Sequence, residues 1–368
     1  MNILLLTTHL NTGGITSYLL TLSKGLIREG HRVHLVSSGG NMLVEFSYAG
    51  VDHFPADINV KSELHPNIYK AVGRVRRYIE EKNIHVIHSH TRVTQVMGWL
   101  LGKITGRPYL STCHGFYKMR LGRRMFPGWG RAAIAISKPV QEYLINDFKM
   151  KLEHVFLIPN GVEINKFSLY QEESRKEKRR TFSLEGYQIV GIIARLADVK
   201  GHAVLVQAMK RIVGRKPNVK LMIVGEGKQE DNLKRLVQEL RLGDQVYFYP
   251  VINKSAEFLE IFDVFAMPSL DEGLGLSVME AQASGLPVVA SAVGGLTTLI
   301  EHRKTGLLVP PNDSEALADA IEEMLDDPAR AAAMGKAARD FIVRNFSAES
   351  MVNKTLAVYE SVRERQKK

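Results

Sequence analysis

The sequence predicts an α/β protein built as two Rossmann-like domains facing a cleft. Strand-like apolar runs alternate with helical patterns almost throughout its 368 residues, as in parallel sheets made of βαβ units. One polar stretch, 168 to 186, interrupts this series and leaves two α/β halves of similar size. Composition agrees: 45% hydrophobic and 24% charged residues are those of a globular protein with enough chain for two cores.

The first half opens on Ile3 to Thr7, an apolar strand with no basic leader before it. The loop Asn11-Thr12-Gly13-Gly14 precedes a helical pattern from about Thr16 to Gly30. Further strands are expected at His31 to Ser37, Ile84 to His88, Tyr109 to Thr112, Ala132 to Ile136 and Val155 to Ile158, with Arg74 to Lys82 ending a helix. Gln171 to Arg180 is nearly all charged and polar and reads as a solvated linker or an exposed helix turn. The second series runs Gln188 to Ala194, Val219 to Val224, Val246 to Phe248, Val264 to Met267, Pro287 to Ala290 and Gly306 to Val309. Helices close the chain at Ser314 to Asp326, Pro328 to Phe346 and from Ser347 onward, with Asp313-Ser314 and Ser347 as N-caps.

Charge and cysteine content narrow the setting. Lys plus Arg number 49 against 39 Asp plus Glu, a net charge of +10, which favours an anionic partner: nucleotide, nucleic acid or lipid. The single Cys113 excludes an intramolecular disulfide and a cysteine-built metal cluster, and fits a reducing cytoplasm. No apolar run reaches membrane-spanning length.

The stretch richest in chemistry is Asp271-Glu272-Gly273-Leu274-Gly275-Leu276-Ser277-Val278-Met279-Glu280, which follows the run Val264 to Met267. A glycine turn between strand and helix gathers free N–H groups and a positive dipole end, which suits a phosphate. Glu272 and Glu280 flank it and suit hydroxyls, such as those of ribose or hexose. Glu280 has a second reading, because Ser277-Val278-Met279-Glu280 also fits a capping box with Ser277 as N-cap. Gly285 ends the helix before the Pro-Val-Val strand.

Other candidates sit at strand ends. Arg195 and Lys200 follow the first strand of the second half, where open α/β sheets bind ligands and two cations would neutralise a diphosphate. Gly13-Gly14 after the first strand allows backbone approach to a diphosphate, or is an ordinary turn. His114, in Thr112-Cys113-His114-Gly115, reaches toward the cleft or is a hydrogen-bonded loop histidine. His88 and His90 share one strand face and invite a metal reading, but no further ligands complete a set, so cleft lining for the acceptor is preferred. Gly225-Glu226-Gly227 lacks the third glycine of a dinucleotide fingerprint, which argues against NAD. Residues 116–131 combine five basic residues with four aromatics and suit an anionic membrane surface, ahead of a solvated loop and of nucleic acid.

The pattern from Glu272 to Glu280, with Arg195, Lys200, the Gly-Gly loop, His114, Pro159-Asn160-Gly161-Val162 and Val224-Gly225-Glu226-Gly227, resembles the retaining family 4 glycosyltransferases of the GT-B fold. The resemblance spans nearly the whole chain and is weakest from 39 to 80. It implies an acceptor-side domain at 1–167, joined by a terminal helix at about 347–368 that crosses back, and a donor domain at 168–346. It further implies that Arg195, Lys200, Gly14 and the backbone of Gly275, Leu276 and Ser277 hold the leaving diphosphate. Glu280 would bind ribose, Glu272 and His114 the donor hexose, with Gly13, Asn160 and Gly225 in the nucleotide-sugar site. No cofactor and no metal are required. The partners are a nucleotide-sugar donor, UDP-sugar first, and a glycan or lipid-linked acceptor of cell-envelope or lipopolysaccharide synthesis. Nucleic acid is not expected, and the setting is the cytoplasm or the inner membrane face. The rivals are a sugar-nucleotide epimerase, a sugar phosphorylase and a non-enzymatic anionic-surface-binding module.

Overall fold

The structure is a computed structural model that describes residues 1–117, 122–123, 126–167, 172–250 and 255–367. The chain forms two compact units, Met1–Gly161 with Ala348–Lys368, and Val162–Ser347. The sequence boundary at 167/168 therefore lies six residues beyond the point where the structure divides.

Unit 1 carries seven strands: β1 (Asn2–Leu6), β2 (Arg32–Ser37), β3 (Asp52–Pro55), β4 (Val86–Ser89), β5 (Tyr109–Cys113), β6 (Ala133–Ala135) and β7 (Val155–Leu157). They pair in parallel in the order β3-β2-β1-β4-β5-β6-β7. Crossovers are made by α1 (Gly14–Arg28), α2 (Leu43–Tyr48), α3 (Pro66–Glu81), α4 (Arg92–Thr105) and α5 (Lys138–Asn146). The two-residue period of a strand is visible in β1: Ile3 and Leu5 pack on the α1 face, Leu4 and Leu6 on the α3–α4 face. Burying each such side chain contributes about 1.5–3 kcal/mol. The strand β3 was not expected from the sequence. Its Asp-His-Phe-Pro is short, half-polar and at the sheet edge, so it lacks the apolar run that marks a buried strand.

Unit 2 has β8 (Gln188–Ile193), β9 (Val219–Val224), β10 (Val246–Tyr249), β11 (Val264–Met267), β12 (Val288–Ser291) and β13 (Leu307–Val309), in the parallel order β10-β9-β8-β11-β12-β13. Its helices are α6 (Glu172–Thr181), α7 (His202–Arg215), α8 (Glu230–Glu239), α9 (Ser255–Leu259), α10 (Leu276–Ala283), α11 (Leu296–Leu299), α12 (Ser314–Asp326) and α13 (Pro328–Asn345). Asp313 caps α12 as expected, its carboxylate accepting from the Glu315 and Ala316 amides. Of the two readings of the charged run, a solvated linker or an exposed helix turn, the structure takes the helical one, α6, with no buried residue. Arg175 and Arg179 both reach Asp263, and Lys178 pairs with Glu260, so one face of the helix is anchored to acids beside β11 while Glu172, Glu173, Lys176, Glu177 and Arg180 face water.

The last helix, α14 (Ala348–Lys367), returns to unit 1. Met351, Val352, Val358, Tyr359 and Val362 join the core that holds Leu19, Leu22 and Leu26 of α1. Gly25 marks the contact, since a side chain there would collide with Val352.

Candidate active site

In unit 2 the strand order reverses between β8 and β11, which pair through Val264 with Val190. The loops leaving their carboxyl ends are therefore neighbours at a topological switch point, the place where open α/β sheets bind ligands. Arg195 leaves β8, is exposed, and makes no ion pair among the described residues. Lys200 ends a short turn, Asp198–Lys200, and Gly201 follows with φ +69. Any Cβ at Gly201 would strike the Pro268 carbonyl, so the turn is held tightly against the end of β11. Lys200 Nζ forms an ion pair with Glu272 Oε2, both side chains being largely buried, and Ser269 Oγ lies 3.4 Å from the same carboxylate oxygen. The family resemblance assigns these two residues separate tasks; the fold joins them in an ion pair.

The glycine turn takes the expected form but a different cap. Gly275, at φ +102, is the N-cap of α10, with no side-chain cap, and its carbonyl accepts from the Val278 and Met279 amides. A Cβ at Gly275 would lie 2.8 Å from Leu296 and take a conformation that side chains avoid. Leu276 and Ser277 thus occupy the first turn, and their amides meet no capping side chain. Ser277 is not the N-cap, and Glu280 is the fifth helical residue, so the capping-box reading fails. Glu280 instead faces the Ser255 hydroxyl and the Lys166 ammonium. Burial pushes its carboxyl up to about 7, and those two neighbours offset only part of the shift.

Gly225 has a sufficient structural reason. Its amide donates to the Tyr249 carbonyl at 2.9 Å, and a Cβ would collide with the Ala194 carbonyl. Gly227 meets Leu196 in the same way, so both glycines seat the β9 turn against the loop of Arg195. Nearby His202 opens α7 fully buried. Neither ring nitrogen has a partner among the described residues, and burial, with Lys200 beside it, lowers its pKa to about 4.

Unit 1 also reverses strand order, between β1 and β4. Gly13 is the N-cap of α1 and Gly14 its first residue, both exposed and without a side-chain cap. A Cβ on Gly14 would meet nothing within 4 Å, so packing does not require glycine there. His114 follows β5 and is half-buried. Its Nε2 lies 3.2 Å from His90 Nδ1, and its ring meets the Tyr18 ring edge-on at 4.9 Å. His90 is wholly buried, with Nε2 unpartnered among the described residues. His88 contacts Tyr359 Oη through Nδ1 and Thr112 Oγ1 through Nε2, both at 2.7 Å. Burial lowers His88 and His114 to about 3, and His90 well below its usual value, so all three are neutral. This corrects one expectation: His88 and His90 are buried and do not line a surface for the acceptor. Both ring nitrogens of His88 are engaged. Asn160 closes the unit 6% exposed, with Oδ1 unpartnered among the described residues.

The segment 116–131 is described only in part. Trp129 is 4% exposed and packs edge-on against Phe148; Phe126 meets Trp99 at 4.6 Å and Phe116 meets Tyr143 at 5.4 Å. Tyr117 lies under the Arg123 guanidinium. Of the four aromatics Trp129 alone is buried; Phe116, Tyr117 and Phe126 stay partly exposed, while Lys118, Arg120 and Arg124 fall outside the described residues. The sequence reading missed Tyr18, Lys166 and Ser255. Each becomes visible only through its neighbour, His114 or Glu280, and no motif marks it.

Two α/β units, each built on a parallel sheet with one switch point, are the architecture of the GT-B fold. Residues 173–341 match the family described as "Glycosyl transferases group 1", and residues 12–166 match "Glycosyltransferase Family 4". The chain is 30% identical over 362 residues to a D-inositol 3-phosphate glycosyltransferase of Pseudarthrobacter chlorophenolicus, covering 89% of this chain and 86% of that one. It superposes on Anabaena HepE, solved with UDP and glucose, with a TM-score of 0.87 at 22% identity, covering 98% and 100% of the two chains. It also superposes on sucrose-phosphate synthase of Thermosynechococcus elongatus, with a TM-score of 0.85 at 26% identity and 98% of each chain. The chain belongs to glycosyltransferase family 4, and the protein is a glycosyltransferase.

Proposed function

We propose that the protein is a retaining glycosyltransferase that moves a hexose from a nucleoside diphosphate sugar to a glycan or lipid-linked acceptor. UDP-sugar is the first donor to try, ahead of GDP- and ADP-sugars, and cell-envelope polysaccharide or lipopolysaccharide synthesis at the inner membrane face is the setting. The observation that carries the donor assignment is the convergence of Arg195, Lys200 and the uncapped first turn of α10 at the β8/β11 switch point. The UDP and glucose bound by HepE support the donor order. The net charge of +10 supports an anionic acceptor. A sugar or cyclitol phosphate is a second acceptor class, because the relative's name contains D-inositol 3-phosphate.

In the reaction the bond between sugar C1 and the diphosphate oxygen breaks, and its electron pair leaves on that oxygen. The acceptor hydroxyl attacks C1 from the same face and gives its proton to the departing phosphate oxygen. Arg195, Lys200 and the Leu276 and Ser277 amides neutralise the charge that develops on the leaving group, so no metal is needed. Lys200 turns toward the diphosphate, and Glu272, released from it, accepts hydrogen bonds from the hexose hydroxyls. Glu280 holds the ribose, and neutral His114 contacts the sugar as a hydrogen-bonding group rather than a cation.

Incubation with a panel of nucleotide-sugars, with and without acceptor, tests the assignment. Nucleoside diphosphate release that depends on acceptor is the expected result. Release of diphosphate and epimerised sugar without acceptor favours an epimerase, and dependence on inorganic phosphate favours a phosphorylase.

A further inference from the structure

A second basic site lies in unit 1, away from the residues assigned to the donor and acceptor chemistry; of the segment 116–131 it takes only Gly130 and Arg131. Arg131, Lys151, His154 and Arg365, with Gly130 and Met150, line a hollow of 310 Å³. Arg131 and His154 come just before β6 and β7, so the hollow is at the amino ends of these strands. His90 and His114 follow the carboxyl ends of β4 and β5, on the opposite edge of the same sheet. The hollow is therefore independent of the donor and acceptor chemistry proposed above.

Its side chains are tied into one arrangement. Arg131 Nη1 donates to the Arg365 carbonyl at 3.3 Å, and Arg365 Nη1 donates to His154 Nδ1 at 3.1 Å. Because Nδ1 accepts, His154 carries its proton on Nε2, 3.5 Å from the exposed Glu153 carboxylate. Arg131, Lys151 and Arg365 have no ion pair among the described residues. Three permanent cations on one small hollow repel one another unless an anion joins them. Two guanidiniums and an ammonium match the several oxygens of a phosphate better than a single carboxylate. The volume exceeds that of a bare phosphate, given roughly 30 Å³ per water, and Met150 gives one wall apolar character.

We propose that this hollow is a second ligand site, which binds the phosphate group of an organic phosphate. The terminal helix α14 supplies one of its cations, so occupancy fastens the end of the chain to β6 and β7. The phosphate could belong to a soluble metabolite or to a lipid headgroup, and the test separates the two.

Calorimetric titration with inorganic phosphate is made on the Arg195→Gln protein, which disables the candidate diphosphate site. Binding is expected, and it should weaken at least about tenfold when Arg365→Gln or Lys151→Gln is added. Both positions are exposed, so the variants keep their fold, which thermal melts check. Sedimentation with phosphatidylcholine vesicles, with and without phosphatidic acid, is the second arm. Retention by phosphatidic acid that falls in the same variants assigns the headgroup, whereas a phosphate isotherm without vesicle retention assigns a soluble ligand. If neither phosphate affinity nor vesicle retention responds to Arg365→Gln and Lys151→Gln, the proposal is overturned.

Discussion

Glu280 shows how far single residues can be read. Its place five residues after Gly275 was visible in the sequence, but so was a false explanation, the Ser277 capping box. The left-handed Gly275 decides against that box by starting the helix two residues earlier, and no residue pattern announces a φ angle. What remains is a carboxyl buried without a full set of partners, with a pKa near 7. Since the folded value lies above the ordinary 4.5, the folded state holds this proton more tightly than the unfolded chain does. Its stabilising effect is present at low pH and is lost as pH rises from about 4.5 through about 7. Glu280→Gln should therefore be more stable than the wild type above that range, by at least about 1 kcal/mol, and nearly equal below it. Nucleotide binding should move the other way. Ionised Glu280 is the better acceptor for two ribose hydroxyls, so wild-type affinity should climb as pH rises through about 7 and the variant's should stay flat. Melts and nucleotide titrations across that range check both halves. A variant that binds nucleotide as well as the wild type, with the same pH profile, removes Glu280 from the ribose site.

Among elements, those with a strong apolar period were legible and those held by tertiary charge were not. The strands from Ile3 and Val264 announce themselves because both their faces are buried. The edge strand β3 and the anchored helix α6 do not, since one is half-polar and the other turns its Arg and Lys toward Glu260 and Asp263. The return of the last helix came from resemblance, and Gly25 now gives it a local cause. Gly25→Ala should push against Val352 and cost about 1–3 kcal/mol, as overpacking does. Val352→Ala alone leaves a gap and costs on the order of 1–2 kcal/mol. The double variant should recover part of both losses, and a double-mutant cycle of melts measures the coupling. Additive losses would mean that α14 does not rest on α1 at this point.

For the whole molecule, the order of strands matters more than their number. Both units reverse strand order once, which places Gly13-Gly14 and His90 after neighbouring strands in one, and Arg195 and the Glu272 turn in the other. Alternating apolar runs made the α/β class legible, but strand order is set by crossovers that the sequence does not spell out. The pairing of Lys200 with Glu272 and the neutral histidine cluster depend on that order and stayed hidden for the same reason. The central claim is that unit 2 holds a nucleoside diphosphate with its own cations at the β8/β11 switch point. Titration of UDP in excess EDTA, against the wild type and Arg195→Ala, tests it most directly. The wild type should bind UDP in EDTA, and Arg195→Ala should bind at least about tenfold more weakly with its melting temperature unchanged. Loss of wild-type binding on chelation with recovery in Mg²⁺ or Mn²⁺, or equal affinity in the two proteins, would contradict it.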